Sequence, residues 1–375
     1  MSAAGPDPER AALDARVLAW MREPGALDAA PEAGEARFAE LALALFAWQF
    51  ERCAPYRRFC EGRGATPASV GDWRDVPPVP TGAFKELALR CFPAERAVHV
   101  FRTSGTATER RGELWLDTLE LYEASLLPTF RAHVLPDLAE RPIALRVLAP
   151  SAEEAPDSSL SHMFATVLRA GGLASGGFDL RGGALDVDGL CARVESAREA
   201  GMAVALCGTS FAFVHLLDAL AARGARLPLP DGSRVMETGG FKGRSRELGR
   251  DALYGALGER LAIAPERIVN QYGMTELGSQ FYDSVLRRPD EPRRKLAPPW
   301  ARIRVVDPRS GEEVGAGEVG ALVIVDLANT GSVQAIQTAD LGRRVADGFE
   351  VLGRDPGAEA RGCSIAADAM LGPPA

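Results

Sequence analysis

Ile268-Val269-Asn270-Gln271-Tyr272-Gly273-Met274-Thr275-Glu276 is the stretch on which the reading of this chain turns. An apolar pair leads into an aromatic, a glycine, a hydroxyl and a carboxylate. That order suits a nucleotide site at a strand end. An aromatic face stacks on a purine, Gly273 lets backbone approach, the Thr275 hydroxyl reaches a phosphate oxygen, and Glu276 can hold Mg²⁺. Taken alone, the pattern also describes an ordinary strand-end turn. It gains weight from two companions, Thr103-Ser104-Gly105-Thr106 upstream and Thr338-Ala339-Asp340-Leu341-Gly342 downstream.

Strand-like runs recur at Val98–Phe101, Ile143–Leu148, Val204–Cys207, Arg234–Glu237 and Ile268–Gln271. Helical patterns lie between them, at Leu116–Val134, Leu160–Ala170, Val187–Ala200, Phe211–Ala222 and Ser245–Leu261. Alternating strand and helix predicts parallel βαβ units, in which ligands bind beyond the carboxyl ends of the strands. From about Pro299 the character changes to short strands at Ile303–Val306, Leu322–Val325, Val333–Ile336 and Phe349–Leu352, separated by Gly, Asp and Pro turns. This reads as an antiparallel β subdomain. Upstream, Glu35 to Cys60 reads as one long amphipathic helix. Val76-Pro77-Pro78-Val79-Pro80 must be extended. Residues 1–32, rich in Ala, Pro, Gly and acids, read as a loosely packed segment.

With 375 residues, 46% of them hydrophobic and 25% charged, the chain reads as a globular protein of two or three structural units. A net charge of −8 argues against a nucleic-acid partner. No apolar run is long enough for a membrane span, and the N-terminus lacks the basic start and apolar core of a signal peptide. The six cysteines, Cys53, Cys60, Cys91, Cys191, Cys207 and Cys363, lack zinc-site spacing. Free thiols in a reducing cytoplasm are the simplest expectation. Only three lysines occur, Lys85, Lys242 and Lys295, which limits the choice of a phosphate-binding ammonium.

The loop Phe101-Arg102-Thr103-Ser104-Gly105-Thr106-Ala107-Thr108 can wrap a polyphosphate with backbone N–H groups and hydroxyls. It is not a GxxxxGK[ST] loop. Glu237-Thr238-Gly239-Gly240-Phe241-Lys242 offers a flat glycine wall for an adenine ring, and Lys242 a cation for phosphate or carboxylate. A strand-to-helix turn is the plain alternative. The two acceptor oxygens of Asp340 suit a vicinal diol. Cys207 reads as a buried strand-end thiol, and no GxSxG nucleophile turn occurs.

In this order, the motifs resemble the adenylate-forming superfamily, which activates carboxylic acids as acyl-AMP. The family's loop usually continues with Gly and Pro-Lys. Here Ala107-Thr108-Glu109-Arg110-Arg111 stands there, leaving Arg110 or Arg111 to supply the cation. The glycine pair Gly239-Gly240, the Tyr272-Gly273-Met274-Thr275-Glu276 run, Asp340 (with Ala339 where glycine is usual) and the Gly353-Arg354 pair follow in family order. The resemblance implies nucleotide contacts from Thr103, Ser104, Gly105, Thr106, Gly239, Gly240, Tyr272, Gly273, Thr275, Asp340 and Arg354. It implies Mg²⁺ on Glu276 by way of ATP, and an acyl pocket bordered by His162 and Phe211. The expected fold is the α/β large-domain fold of these enzymes, with parallel βαβ subdomains and a small antiparallel β subdomain. Residues 1–75 would form a loose segment and helical region, 76–298 the α/β core, 299–352 the β-rich subdomain, and 353–375 a truncated tail.

Beyond the Gly353-Arg354 hinge the family carries a mobile domain with a catalytic lysine. Here only Asp355 to Ala375 follow. That tail, with Arg361-Gly362-Cys363-Ser364-Ile365, resembles the LuxE-type acyl-protein synthetases, the fatty-acid-activating component of bacterial fatty acid reductases. The resemblance implies a catalytic set of Cys363, Glu276 and Lys242, with Cys363 taking the acyl group as a thioester and handing it to an acyl reductase. Two alternatives stay open: an acyl- or aryl-CoA ligase similar to phenylacetate–CoA ligases, and a non-catalytic adenylate-binding subunit.

Overall fold

The computed structural model describes residues 7–104, 110–239, 249–355 and Met370. Contact divides them into two units. One holds the residues up to Leu126, Met274–Ser279 and those from Leu296 onward; the other holds Leu127–Gly273 and Gln280–Lys295.

The first unit opens with a helix, Pro8–Met21, where composition suggests a loose segment. Pro8 starts it without needing an N–H partner, and the Asp7 carboxylate caps it by accepting from Glu9 N at 3.1 Å. Leu13, Val17, Leu18, Trp20 and Met21 are buried, so the apolar minority at helical spacing outweighs the overall polarity. The buried Arg10 guanidinium donates to Asp117 Oδ2 at 2.5 Å and Thr330 Oγ1 at 3.3 Å. The expected helix over Glu35–Cys60 is two helices, Glu35–Arg52 and Ala54–Glu61. Pro55 is the reason. It has no N–H to give, and its ring would strike the carbonyl four residues back. The chain therefore breaks at Cys53 (φ −102°, ψ 92°) and restarts with Pro55 in the first turn.

Four antiparallel strands follow in spatial order Ala301–Val306, Gly320–Asp326, Ala335–Val345 and Gly348–Arg354. They are the expected β subdomain, extended so that Thr338 to Gly342 lie within a strand. The short strand Val79–Pro80 joins parallel to Ala335–Val345, with Val79 opposite Ile336 and Pro80 opposite Gln337. A Cβ at Gly342 would run into Glu350 O and the Leu322 side chain, so only glycine fits where the sheet bulges.

The Val98–Phe101 run is not a strand of a parallel sheet. His99–Arg102 pairs antiparallel with Glu113–Leu116 as a hairpin. The connection from Thr103 to Gly112 is too short for a parallel crossover. The candidate phosphate loop is therefore a hairpin loop.

The second unit holds a sheet in the order Phe281–Asp283, Ile268–Tyr272, Arg234–Thr238, Ala203–Thr209, Ile143–Leu148 and Ser175–Phe178. All neighbours are parallel except Phe281–Asp283, which runs against Ile268–Tyr272. Ile143–Leu148 is buried along its whole length, as a strand covered on both faces must be. Helices Val187–Glu199, Ser210–Ala222 and Arg250–Leu261 pack Leu190, Val194, Phe213, Leu216 and Leu257 into one core with Ile268. Each such side chain contributes roughly 1.5–3 kcal/mol when fully buried. The helix after Ala203–Thr209 starts where the Thr209 hydroxyl accepts from Ala212 N at 3.1 Å. No helix among the described residues is long and apolar enough to cross a membrane.

Candidate active site

In the first unit the hairpin fixes both stems of the loop. Thr103 N donates to Gly112 O at 2.9 Å, and Gly112 N returns a bond to Thr103 Oγ1 at 2.9 Å. Arg111 Nε donates to Thr103 O at 2.5 Å, and its Nη2 to Arg102 O at 3.3 Å. Arg110 instead pairs with Glu86 at 2.6 Å in an exposed ion pair, an interaction of small worth in water that an incoming anion can displace.

Gly112 is where the loop meets the carboxylate of the opening motif. A Cβ built on it would lie 3.2 Å from Thr103 Cγ2, 3.4 Å from Glu276 Oε1 and 3.6 Å from Phe84 Cβ. The bare glycine face thus lets Thr103, Glu276 and Phe84 converge. Glu276 is 5% exposed and Thr275 9%. The Glu276 carbonyl accepts from Asn329 Nδ2 at 2.8 Å.

Phe84 sits on the short helix Ala83–Glu86, and that segment ties the cluster to the strand that carries Asp340. Thr81 N donates to Gln337 O at 3.0 Å, one residue ahead of Thr338. The Thr338 hydroxyl donates to Leu322 O at 3.0 Å and accepts from Asp340 N at 3.1 Å, orienting the Asp340 backbone. Asp340 faces Arg354 across the strand pair, with Nε 3.9 Å from Oδ1. Gly353 adopts φ +139°, which favours glycine and turns Arg354 at the strand end.

In the second unit, Thr209 registers with Thr238 and Thr238 with Gln271, so three strands end side by side. Gly239 follows with φ +90° and open space where a Cβ would stand. Below it lies a buried polar network. Glu237 accepts from Ser210 Oγ at 2.5 Å, from Asn270 Nδ2 at 2.6 Å and from Tyr254 OH at 3.2 Å. Lys295 Nζ donates to Asn270 Oδ1 and, at 3.0 Å, to Asp283 Oδ1, whose other oxygen meets Arg293 at 2.5 Å. Burial pushes the Asp283 carboxyl up, but Lys295 and Arg293 outweigh it and hold it below the usual range. Burial, then the Glu237 charge, raises the Tyr254 phenol. The network pins the ends of Arg234–Thr238 and Ile268–Tyr272.

Tyr272 lies 6.2 Å from Phe281, ring to ring, tilted by 41°. A Cβ at Gly273 would stand 2.5 Å from Gln271 Nε2. His162 is buried on the helix Ser159–Arg169, whose cap is Ser158 accepting from Ser161 N at 3.2 Å. Phe211 is 39% exposed on the separate helix Ser210–Ala222, edge-on to His215 at 4.4 Å. Cys207 is a buried strand thiol raised by burial.

The structure thus brings Thr103, Glu276, Asp340 and Arg354 into one unit, and Gly239, Tyr272, Gly273, His162 and Phe211 into the other. Thr275 lies with the first set and Ser104 follows Thr103 on the loop stem. Gly105, Thr106, Gly240, Lys242 and Cys363 lie outside the described residues. Sequence reasoning gave no role to Gly112, Glu237, Asn270, Asn329 or Lys295. Of these, Lys295 alone carried a signal, as one of three lysines.

A family model described as "Acyl-protein synthetase, LuxE" matches residues 22–371. Two relatives share the name "Long-chain-fatty-acid--luciferin-component ligase". The one from Vibrio harveyi is 23% identical over 290 residues, 76% of this chain and 74% of that protein. The one from Aliivibrio fischeri is 22% identical over 300 residues, 79% and 76% of the two chains. Among solved structures, an open conformation of 2-hydroxyisobutyryl-CoA ligase in complex with 2-HIB-AMP and CoA superposes with a TM-score of 0.59 at 16% identity, over 84% of this chain and 74% of that one. That likeness is one of fold.

Proposed function

The chain belongs to the LuxE family of acyl-protein synthetases, and from that premise we propose that it activates a fatty acid with ATP and Mg²⁺ and loads the acyl group on Cys363. The observation that carries the first step is the convergence of Thr103 and the Glu276 carboxylate on Gly112. A loop that can wrap phosphates and a carboxylate that can hold a divalent cation meet at one glycine. No group of three or more His, Cys, Asp or Glu side chains among the described residues forms a cation cage. A single carboxylate suits Mg²⁺ that keeps several waters and takes its other ligands from phosphate oxygens.

In the first step a carboxylate oxygen of the fatty acid attacks the α-phosphorus of ATP. The bond to pyrophosphate breaks, and acyl-AMP forms. Thr103 and Ser104 hold phosphate oxygens, Glu276 the cation that offsets their charge, and Asp340 the ribose hydroxyls. Tyr272 and Gly239 are assigned to adenine, and His162 and Phe211 to the acyl chain. In the second step the Cys363 thiolate attacks the acyl carbon, the C–O bond to AMP breaks, and a thioester remains. The acyl group then passes to a partner protein, an acyl reductase in this reading.

The test is acid-dependent exchange of labelled pyrophosphate into ATP, over a panel of fatty, short and aromatic acids. Fatty acids should support exchange, and Glu276→Gln should reduce it by about 10²-fold. No exchange with any acid would overturn the proposal.

A further inference from the structure

We propose that Asn329 is a positioning residue for acid activation, setting the Glu276 carboxylate by way of its main chain; this rests on Glu276 serving Mg–ATP. The Asn329 amide gives one hydrogen to Glu276 O at 2.8 Å and the other to Val333 O at 3.3 Å. The Asn329 main-chain carbonyl accepts from Gln49 Nε2 at 2.8 Å, and Gln49 Oε1 accepts from Gln334 N at 3.0 Å. Asn329 and Gln49 are almost wholly buried. The Glu276 peptide is therefore held by a side chain that is itself locked from behind, in the manner of groups that orient metal ligands from the next layer out.

The same turn grips the motif three residues on. Ser279 N donates to Asp326 Oδ2 at 2.8 Å and Ser279 Oγ to Asp326 Oδ1 at 2.7 Å. The 276–279 segment is thus pinned at both ends by residues 326–329, which fixes the main chain from which the Glu276 side chain extends.

One feature separates Asn329 from ordinary structural packing. Its Oδ1 is buried and meets no protein donor among the described residues. Turning the amide over would aim that oxygen at two carbonyls, Glu276 O and Val333 O. A Cβ at Gly278 would stand 3.0 Å from it. The fold thus leaves an acceptor without a protein donor in order to keep a donor on Glu276. Such violations are expected where position matters more than stability.

The test is a double-mutant cycle read both by pyrophosphate exchange titrated with Mg²⁺ and by the calorimetric Kd of Mg–ATP, in wild type, Asn329→Ala, Glu276→Gln and the double variant. Asn329→Ala should raise the half-activating Mg²⁺ concentration about tenfold, leave the KM for the acid unchanged, and add less than about twofold in the Glu276→Gln background. Equal losses in both backgrounds would overturn the positioning role while leaving Glu276 in place. A Glu276→Gln protein with an unaltered Mg²⁺ response would instead remove the reading of Glu276, and this proposal with it. Asn329→Ser, which keeps a donor of shorter reach, carries the same cycle where the alanine variant does not fold.

Discussion

Gly112→Ala is a one-methyl perturbation aimed at the point where the loop stem and the carboxylate meet. The new methyl would stand 3.2 Å from Thr103 Cγ2, 3.4 Å from Glu276 Oε1 and 3.6 Å from Phe84 Cβ. None of these is a gross clash. Gly112 is also not among the glycines with positive φ, so alanine meets no backbone strain. Alanine gains about 0.4–1 kcal/mol by restricting the unfolded chain, which the tight contacts offset. Net stability should change by under about 1 kcal/mol, a shift in Tm of at most a few degrees. Thr103, however, must give by a few tenths of an ångström, and Glu276 is brought to the edge of contact. A 1 Å misplacement at reacting groups costs about 10²-fold, so a loss near tenfold in exchange is expected, about 1.4 kcal/mol in the barrier. Exchange rate against Mg²⁺ and Tm by scanning calorimetry are measured on the same samples. Unchanged exchange, or a loss that tracks a Tm drop beyond about 10 °C, would refute the reasoning.

Three further outcomes are expected. Lys295→Met leaves Asp283 buried with Arg293 alone and takes a donor from Asn270; urea unfolding should show a loss of about 3 kcal/mol, and a loss under about 1 kcal/mol would show the network to be idle. Asp340→Ala should raise the KM for ATP about tenfold or more, with the KM for the acid unchanged; an unaltered KM for ATP would remove Asp340 from the ribose. Burial, helped by Arg287, holds the His133 imidazole down to about 4, against 6.5 when free. The unfolded chain then binds a proton that the folded one refuses, so stability is lost as pH falls from 6.5 towards 4. Between pH 7 and 4.5 wild type should lose ~2–3 kcal/mol more than His133→Gln, and equal losses would show that His133 does not titrate this way.

The alternation of apolar strands and amphipathic helices made the sheet of the second unit readable. Ile143–Leu148 is found with the bounds read from its run of apolar residues. Three of the antiparallel strands after Pro299 were legible near Asp-Pro, Gly and Asp-Gly turns, whereas the run read at Val333–Ile336 belongs to a longer strand, Ala335–Val345. Local pattern could not tell that His99–Arg102 closes a hairpin, since a four-residue strand looks alike in either setting. Nor could it weigh Pro55 against a strong helical period, or find Pro8–Met21 beneath a polar composition. In the candidate site, Glu276, Thr103 and Asp340 were nameable because their chemistry is local to short motifs. Gly112, Asn329 and Gln49 were not, because each acts through a contact with residues far away in the chain. No motif marks a glycine whose merit is the atom it lacks.

Intact mass shows whether this chain activates an acid and captures it on its own thiol. Wild type and Cys363→Ser are incubated with ATP, Mg²⁺ and fatty acids of several lengths. The account predicts an adduct of the acid's mass less one water, dependent on ATP, present in wild type and absent from Cys363→Ser. AMP formed without any adduct, or an adduct that persists in Cys363→Ser, would contradict it.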